Sequence, residues 1–263
     1  MSLACLDGVI GPAGATLIPV TDEGLVRGDG IFEVIRLYDG RPYKLEEHLA
    51  RLARSGRGLR LAVDVDAVRA DLEALLTATG EFSDEVNGQL RIMLTRGGRR
   101  ILITEPLHRL PEHARVASIQ YQPTLVLDQI KSLSYGANML CTRLAVERGF
   151  DDALLVDPSG VVLEAPTKSV FWVKDRQLAT TPLSAHVLAS ITRATVIELA
   201  EVEERSITLE ELLAADEVFL ASTTREVQTV VAVDDTTFVA DGPVTTRVRE
   251  LVAQHIEVWR ATA

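Results

Sequence analysis

Alternating apolar and polar residues predict that the chain begins as a series of β-strands. The runs LDGVI, ATLIPV and IFEVIRLY each have the composition of a strand, and the Asp-Gly pair in YDGRPY predicts a tight hairpin turn after the third run. Because successive side chains of a strand point to opposite faces, Phe32 lies on one face of IFEVIRLY and Glu33 on the other.

Apolar residues then recur at every third or fourth position, which predicts two amphipathic helices. The first is KLEEHLARLARSGRGL, and we expect it to end near Gly56 or Gly58. The second is DVDAVRADLEALLTATG, with Gly80 as its stop.

The rest of the chain mixes strands and helices without a regular βαβ order. Strands are predicted in QLRIMLT, RRILITEP, RVASIQY, DDALLV, SVFWVK, RQLATT and over 202–207, 216–221 and 227–233, and helices over 136–149, 190–200, 208–214 and from about 243. This mixture favours an α+β fold.

We expect two domains joined by a short linker. The segment QPTLVLDQ contains Pro123 near its start and joins the two halves of the pattern. The prediction is a small N-terminal domain over 1–122, a linker over 123–130 and a larger C-terminal domain over 131–263.

Charge and composition indicate a globular protein that acts on small molecules. The chain has 263 residues, of which 47% are hydrophobic and 25% charged, with a net charge of −11. A strongly acidic surface gains nothing from a polyanion, so neither nucleic acid nor an anionic membrane is an expected partner. The start of the chain has no basic cluster and no long apolar run, so we expect a cytoplasmic protein.

No motif for a metal, a disulfide or a nucleotide is apparent. Cys5 and Cys141 are far apart and belong to no Cys/His ligand spacing, so no metal site is predicted. The chain also lacks a GxGxxG after a strand and a GxxxxGK[ST] loop.

Lys131 lies in DQIKSLSYGANML, between a strand-like run and a helix-like run. The flanking segments RGDGIFEVIRLYDGRPYKLEEHLARLARS and VVLEAPTKSVFWVKDRQLATTPLSAHVLASITRATV complete a pattern that extends from about Asp7 to Val231. The whole pattern resembles the class IV aminotransferases. These are fold type IV pyridoxal-phosphate enzymes, and they include branched-chain and D-amino-acid aminotransferases and aminodeoxychorismate lyase.

The resemblance implies a small α/β sandwich domain, a larger pseudo-barrel domain and pyridoxal 5'-phosphate as cofactor. It makes Lys131 the residue that holds the cofactor as a Schiff base and then acts as a base, two tasks that suit an unprotonated amine. Lys44, Lys168 and Lys174 are the competing lysines, and we expect them to be solvated charges.

The resemblance also assigns the other contacts of the cofactor. The cofactor-binding positions of the family correspond to Arg51, Lys131, Glu164, Leu188, Ile191, Thr192 and Thr223. Glu164 would keep the pyridine nitrogen protonated, and the planar guanidinium of Arg51 suits two phosphate oxygens. Ile191 and Thr192 would offer the phosphate the start of a helix. Ser169 and Ser190 stand where the family often has asparagine and glycine.

Five residues are candidates for contact with the substrate. By family position Phe32 faces the pocket, and Tyr135 is close enough in sequence to Lys131 to reach it. The loop TRGGRR resembles one that supplies an arginine to the substrate carboxylate, which makes Arg96, Arg99 and Arg100 candidates, although the accompanying RxH pattern is missing.

Three functions follow from the resemblance. The first is an aminotransferase that moves an amino group between an amino acid or amine and a 2-oxo acid. The second is an aminodeoxychorismate lyase that releases 4-aminobenzoate and pyruvate, and the third is a non-catalytic scaffold of the same fold. The family also implies a homodimer.

Overall fold

The computed structural model describes residues 2–80, 87–107 and 111–262 and confirms the predicted α+β class. The chain forms two compact units. The first unit comprises Met1–Arg109 and Gln129–Tyr135, and the second comprises Leu110–Asp128 and Gly136–Ala263.

The first unit consists of a six-stranded antiparallel sheet and helices that pack against it. Its elements are β1 (Leu3–Leu6), β2 (Val9–Pro12), α1 (Glu23–Arg27), β3 (Gly30–Tyr38), β4 (Arg41–Pro42), α2 (Leu45–Leu59), α3 (Val65–Gly80), β5 (Gly88–Thr95) and β6 (Arg100–Pro106). The strand order is β2-β1-β6-β5-β3-β4.

The core of the first unit lies between this sheet and helices α2 and α3. Ile31 and Ile35 of β3 are fully buried against Leu49 and Leu52 of α2 and Leu72 of α3. Burial of one such side chain stabilises the fold by roughly 1.5 to 3 kcal/mol. The apolar faces that the sequence predicted for β3 and for α2 therefore pack against each other in one core.

Two strand predictions for the first unit were wrong in detail. The run LDGVI is not one strand, because it contains the end of β1, the turn at Asp7 and Gly8 and the start of β2. The run ATLIPV forms no strand, because the chain leaves β2 in a short 3-10 turn over Ala13–Ala15 and then extends into helix α1. The end of helix α2 at Leu59 agrees with the predicted stop near Gly58. Gly56 is needed for close approach rather than as a stop, since an added Cβ would lie 2.3 Å from Cγ2 of Val63.

The second unit has an eight-stranded mixed sheet. Its elements are β7 (Ala114–Gln120), α4 (Gly136–Glu147), β8 (Asp152–Val156), β9 (Ser169–Lys174), β10 (Gln177–Thr180), α5 (Ile191–Leu199), β11 (Val202–Glu204), α6 (Leu209–Leu213), β12 (Glu217–Ser222), β13 (Glu226–Val233), β14 (Thr236–Thr237) and α7 (Pro243–Thr262). The main strand order is β11-β10-β9-β12-β13-β7-β8, and β14 pairs with β13.

Alternation along β9 and β12 builds the core of the second unit. Val170 and Trp172 of β9 and Leu220 of β12 belong to one buried cluster. On the other face of the same strands, the rings of Phe171 and Phe219 stack with their centroids 4.8 Å apart. Strands buried on both faces explain why SVFWV has no polar residue between its apolar ones.

The two units divide the chain differently from the predicted boundaries at 122 and 131. Strand β7 belongs to the second unit, because it pairs in parallel with both β8 and β13. The segment 129–135 belongs to the first unit, because it is bonded to β3. Phe32 N–H donates to the Lys131 carbonyl and Leu133 N–H donates to the Gly30 carbonyl, both at 2.9 Å.

Candidate functional site

In the first unit, Lys131 lies beside two aromatic rings. Its backbone N–H donates to Oγ of Ser55 at 3.1 Å, and its Nζ lies 4.4 Å from the centroid of the Phe32 ring and 6.0 Å from that of Tyr135. The two rings meet edge to face, with centroids 5.3 Å apart. The structure therefore brings together three residues that the sequence predicted, with the half-buried amine held over aromatic faces that attract a cation.

Arg51 is buried in the same unit in a network with Glu33 and His48. Its Nε donates to Oε1 of Glu33 at 2.7 Å, and its Nη2 donates to Oε2 at 2.6 Å. Nδ1 of His48 lies 2.8 Å from the same Oε2. This bidentate pairing fixes the plane of the guanidinium on α2 against strand β3.

The electrostatics of the network follow from its burial. Burial alone would raise the pKa of Glu33, but the hydrogen bonds and charge of Arg51, with those of His48, outweigh it and lower that pKa to about 2. Burial is also the main reason that the pKa of His48 is lowered, and the charges of Arg51 and Lys131 add to the effect. Glu33 is therefore an anion at neutral pH, and its Oε2 accepts a hydrogen bond from the Nδ1–H of His48.

Glu33 and His48 were not among the sequence-predicted site residues. The signal was present, since Glu33 lies on the apolar face of β3 that carries Ile31 and Ile35. A carboxylate on a buried face needs a cationic partner. His48 and Arg51 lie three positions apart on α2, which puts both on the face toward that carboxylate.

In the second unit, Glu164 and Leu188 lie close together. The Leu188 N–H donates to Oε1 of Glu164 in a long hydrogen bond of 3.4 Å. The Glu164 carbonyl accepts from Leu155 N–H of β8 at 2.8 Å, which anchors the half-buried glutamate to the sheet. The residues before Glu164 are tied to the end of β8 by an isolated bridge between Val156 and Val162.

Helix α5 begins at Ile191, where the sequence placed an anion-binding helix start. Ser190 is its N-cap, and its Oγ accepts from Arg193 N–H at 3.3 Å. The backbone N–H groups of Ile191 and Thr192, the first two of the helix, have no acceptor among the described residues. Serine in place of the usual glycine therefore caps the helix and leaves the two predicted donors unpaired.

Thr223 lies in the turn that joins β12 to β13. In this turn Arg225 N–H donates to the Ser222 carbonyl at 3.3 Å. Ser222 is 8% exposed, and its Oγ has no hydrogen-bond partner within the described part of the chain.

The three arginines predicted to meet the substrate are all bonded to carboxylates of the first unit. Arg96 pairs with Asp29 at 2.6 Å and also donates to two backbone carbonyls at the end of α2. The remaining pairs are Arg99 with Asp7 at 2.7 Å and Arg100 with Asp71 at 2.8 Å. Each of these three arginines therefore forms an ion pair within the first unit.

Lys168 is buried, so the prediction of a solvated charge was wrong for this residue. It immediately precedes β9 and has the same parity as Val170 and Trp172, so its side chain lies on the core side of the sheet. Its Nζ forms an ion pair with Oδ2 of buried Asp152. Lys174, by contrast, is exposed and donates to the Ala214 carbonyl at 2.8 Å.

Two further observations concern metals and membranes. Glu112, His113 and Asp241 hold their potential ligand atoms within 4.8 Å of one another. The Asp241 carboxylate is already bonded to His113 and Arg249, so this group has the contacts of a surface ion-pair network. Among the described helices, none combines the length and apolar character needed to cross a bilayer.

Comparisons with known proteins agree with the motifs and the fold. The family model "Amino-transferase class IV" matches residues 30–233. D-alanine aminotransferase of Bacillus licheniformis is 31% identical over 263 aligned residues, which cover 91% of this chain and 92% of that protein.

Solved structures show the same architecture. The fold IV-transaminase CpuTA1 from Curtobacterium pusillum has a TM-score of 0.86 and 27% identity and covers 96% of this chain and 99% of its own. A branched-chain aminotransferase from Thermoproteus uzoniensis, solved with norvaline, has a TM-score of 0.86 and 26% identity, with coverage of 96% and 93%. The chain thus has the predicted two-domain type IV fold.

Class IV aminotransferases use pyridoxal 5'-phosphate as their cofactor. The family match extends over most of the chain and includes Lys131, Glu164 and Arg51. This protein belongs to the class IV aminotransferases and is a transaminase of that family.

Proposed function

We propose that this enzyme moves an amino group between an amino acid or amine and a 2-oxo acid, with pyridoxal phosphate attached to the amine of Lys131. The observation that carries the proposal is the position of that amine. It lies over the rings of Phe32 and Tyr135, in a segment whose backbone is bonded to β3. A fixed, half-buried amine beside apolar rings suits covalent attachment to an aldehyde better than a solvated lysine does.

The proposed binding residues have the chemistry that the cofactor requires. The unpaired N–H groups of Ile191 and Thr192 begin a nine-residue helix, where the helix dipole favours an anion such as a phosphate. Arg51 is buried and held in one plane by Glu33. We assign Thr223 to the phosphate as well, and Leu188 to the apolar surface of the ring.

When bound, pyridoxal phosphate draws electrons away from the substrate carbon that carries the amino group. Nζ of Lys131 would take the proton from that carbon as a general base and deliver it to the C4′ carbon of the cofactor as a general acid. The carboxylate of Glu164 would keep the ring nitrogen protonated, and the Leu188 N–H, 3.4 Å from its Oε1, orients that carboxylate.

The colour of the purified protein tests this proposal. We expect a visible absorption band in the wild-type protein that disappears in Lys131→Ala and persists in Lys174→Ala, an exposed lysine that serves as the matched control. A wild-type protein that stays colourless after addition of the cofactor would support a scaffold instead of an enzyme.

The choice of substrate separates transamination from the lyase reaction. The enzyme is incubated with D- and L-amino acids plus pyruvate or 2-oxoglutarate, and separately with aminodeoxychorismate. We expect amino transfer in the first mixture. Release of 4-aminobenzoate without a 2-oxo acid would show that the lyase reaction is the correct one.

The family also leads us to propose a homodimer, which sedimentation of the purified protein would test. A cytoplasmic location stays a prediction from the sequence.

A further inference from the structure

Arg225 is a half-buried cation that has only a neutral partner. Its Nη1 donates to Oε1 of Gln228 at 2.5 Å. No carboxylate within the described ranges lies at ion-pair distance from its guanidinium. Burial is the main reason that the pKa of Arg225 is lowered, and the carboxylate of Asp151 opposes this only from a distance.

The position of Arg225 is nevertheless fixed. Gln228 is 5% exposed, and its Nε2 donates to the Pro111 carbonyl at 2.6 Å. This relay from Arg225 through Gln228 to a backbone carbonyl orients the guanidinium without neutralising its charge. A cation that is held in place but not neutralised is prepared for an anionic ligand.

Two residues near Arg225 also favour an anionic ligand at this position. Ser222 belongs to the same turn, and its buried Oγ has no partner in the described part of the chain. Lys168 lies close enough for the charge of Arg225 to add to burial in lowering the pKa of Lys168, whereas the Asp152 ion pair favours its charged form. The pairing of Ala221 with Ser169 puts Ser222 and Lys168 at the same end of β12 and β9.

The turn also includes one of the proposed cofactor residues. It contains Thr223, which we assign to the phosphate, and Lys168 follows Glu164 by four positions. The arginines that the sequence suggested for the substrate, Arg96, Arg99 and Arg100, are each paired with an aspartate. Arg225 has no such pair.

We propose that Arg225, assisted by the Ser222 hydroxyl, binds a carboxylate of the substrate. The substrates are then amino acids and 2-oxo acids, and amines or aldehydes without a carboxylate are poor substrates. This inference rests on the proposed function and assigns a substrate class to it.

The test compares two acceptors that differ only in a carboxylate. The pyridoxamine-phosphate form of the enzyme is reacted with pyruvate and with acetaldehyde, and kcat/KM is measured for each. In Arg225→Gln we expect the ratio of the pyruvate value to the acetaldehyde value to fall about 10- to 100-fold, the range for loss of a hydrogen bond to a charged group. Arg225→Lys should restore part of the ratio, and Ser222→Ala should lower it less.

Controls separate this role from cofactor binding and from folding. Arg247→Gln, at an exposed arginine of α7, should leave the ratio unchanged. The affinity of the cofactor-free protein for pyridoxal phosphate should be equal in wild type and Arg225→Gln. If that affinity falls while the ratio stays constant, Arg225 serves the phosphate, and the proposal is overturned. An equal fall for both acceptors also overturns it.

A binding measurement keeps the inference separate from the proposed reaction. Propionate carries a carboxylate but no carbonyl or amino group, and its binding is followed through the visible absorption of the bound cofactor. We expect Arg225→Gln to bind propionate about 10- to 100-fold more weakly than wild type. Equal binding would count against the role of Arg225, whereas a wild type that binds propionate but aminates neither acceptor would count against transamination alone.

Discussion

Replacement of Glu33 by glutamine tests the buried network that holds Arg51. The change keeps the shape of the side chain and removes its charge. Glu33 is fully buried and receives three hydrogen bonds, two from Arg51 and one from His48. Glu33→Gln would leave the guanidinium of Arg51 buried without a counter-charge.

The pKa of Glu33 gives the size of the effect. Its ordinary value of 4.5 falls to about 2 in the folded protein, which corresponds to about 3 kcal/mol of stability at neutral pH. Loss of one partner of a buried ion pair typically costs about 3 to 5 kcal/mol. We therefore expect Glu33→Gln to lower the free energy of unfolding by about 3 kcal/mol.

Urea unfolding of the cofactor-free protein at pH 7, followed by far-ultraviolet circular dichroism, measures this difference. Glu46→Gln is the matched control. Glu46 makes an equally bidentate pair with Arg69, with both bonds at 2.8 Å, but on the surface. Because water and salt screen exposed pairs, we expect no measurable change in the control.

The pH dependence of the stability difference between wild type and Glu33→Gln tests the same network a second time. The Glu33 carboxylate has a lowered pKa, so its contribution is complete above pH 4.5 and is lost as the pH falls from 4.5 toward 2. The stability gap between wild type and Glu33→Gln should close over that interval. A variant as stable as wild type at pH 7, or a control that loses as much, would refute the reasoning.

Three other changes have expected outcomes. Glu164→Gln should lower kcat about 10²- to 10³-fold in steady-state transamination assays, because the ring nitrogen loses its anionic partner. Arg96→Ala should leave KM for pyruvate unchanged while lowering the thermal midpoint, because Arg96 is bonded to Asp29 and the end of α2. Lys168→Met should cost about 3 to 5 kcal/mol in urea unfolding, because Asp152 is left as a buried, unpaired charge.

Local patterns predicted most of the elements. The alternation of IFEVIRLY and the three- and four-residue spacing of α2 were correct because both elements bury one face in a shared core. The strand predicted in ATLIPV was wrong, since alternation over a few residues does not specify a pairing partner. The domain boundary differed because β7 and the segment 129–135 are placed by long-range pairing with β8, β13 and β3.

The sequence named candidate site residues whose roles stay predictions. Three of these residues, Lys131, Phe32 and Tyr135, lie together in the structure. The ion pairs of Lys168 and Arg96 were not predictable, because their partners are 16 and 67 positions away in the chain. Contacts between residues far apart in the chain determine which arginines form ion pairs. The sequence alone therefore could not show that Arg225 forms none with the described residues.

The central claim is that the amine of Lys131 carries the cofactor. The enzyme is loaded with pyridoxal phosphate, reduced with sodium borohydride and digested, and the phosphopyridoxyl group is located by mass spectrometry. We predict that the modified peptide contains Lys131. Modification of Lys168, or of no lysine in a wild-type protein that binds the cofactor, would contradict the account.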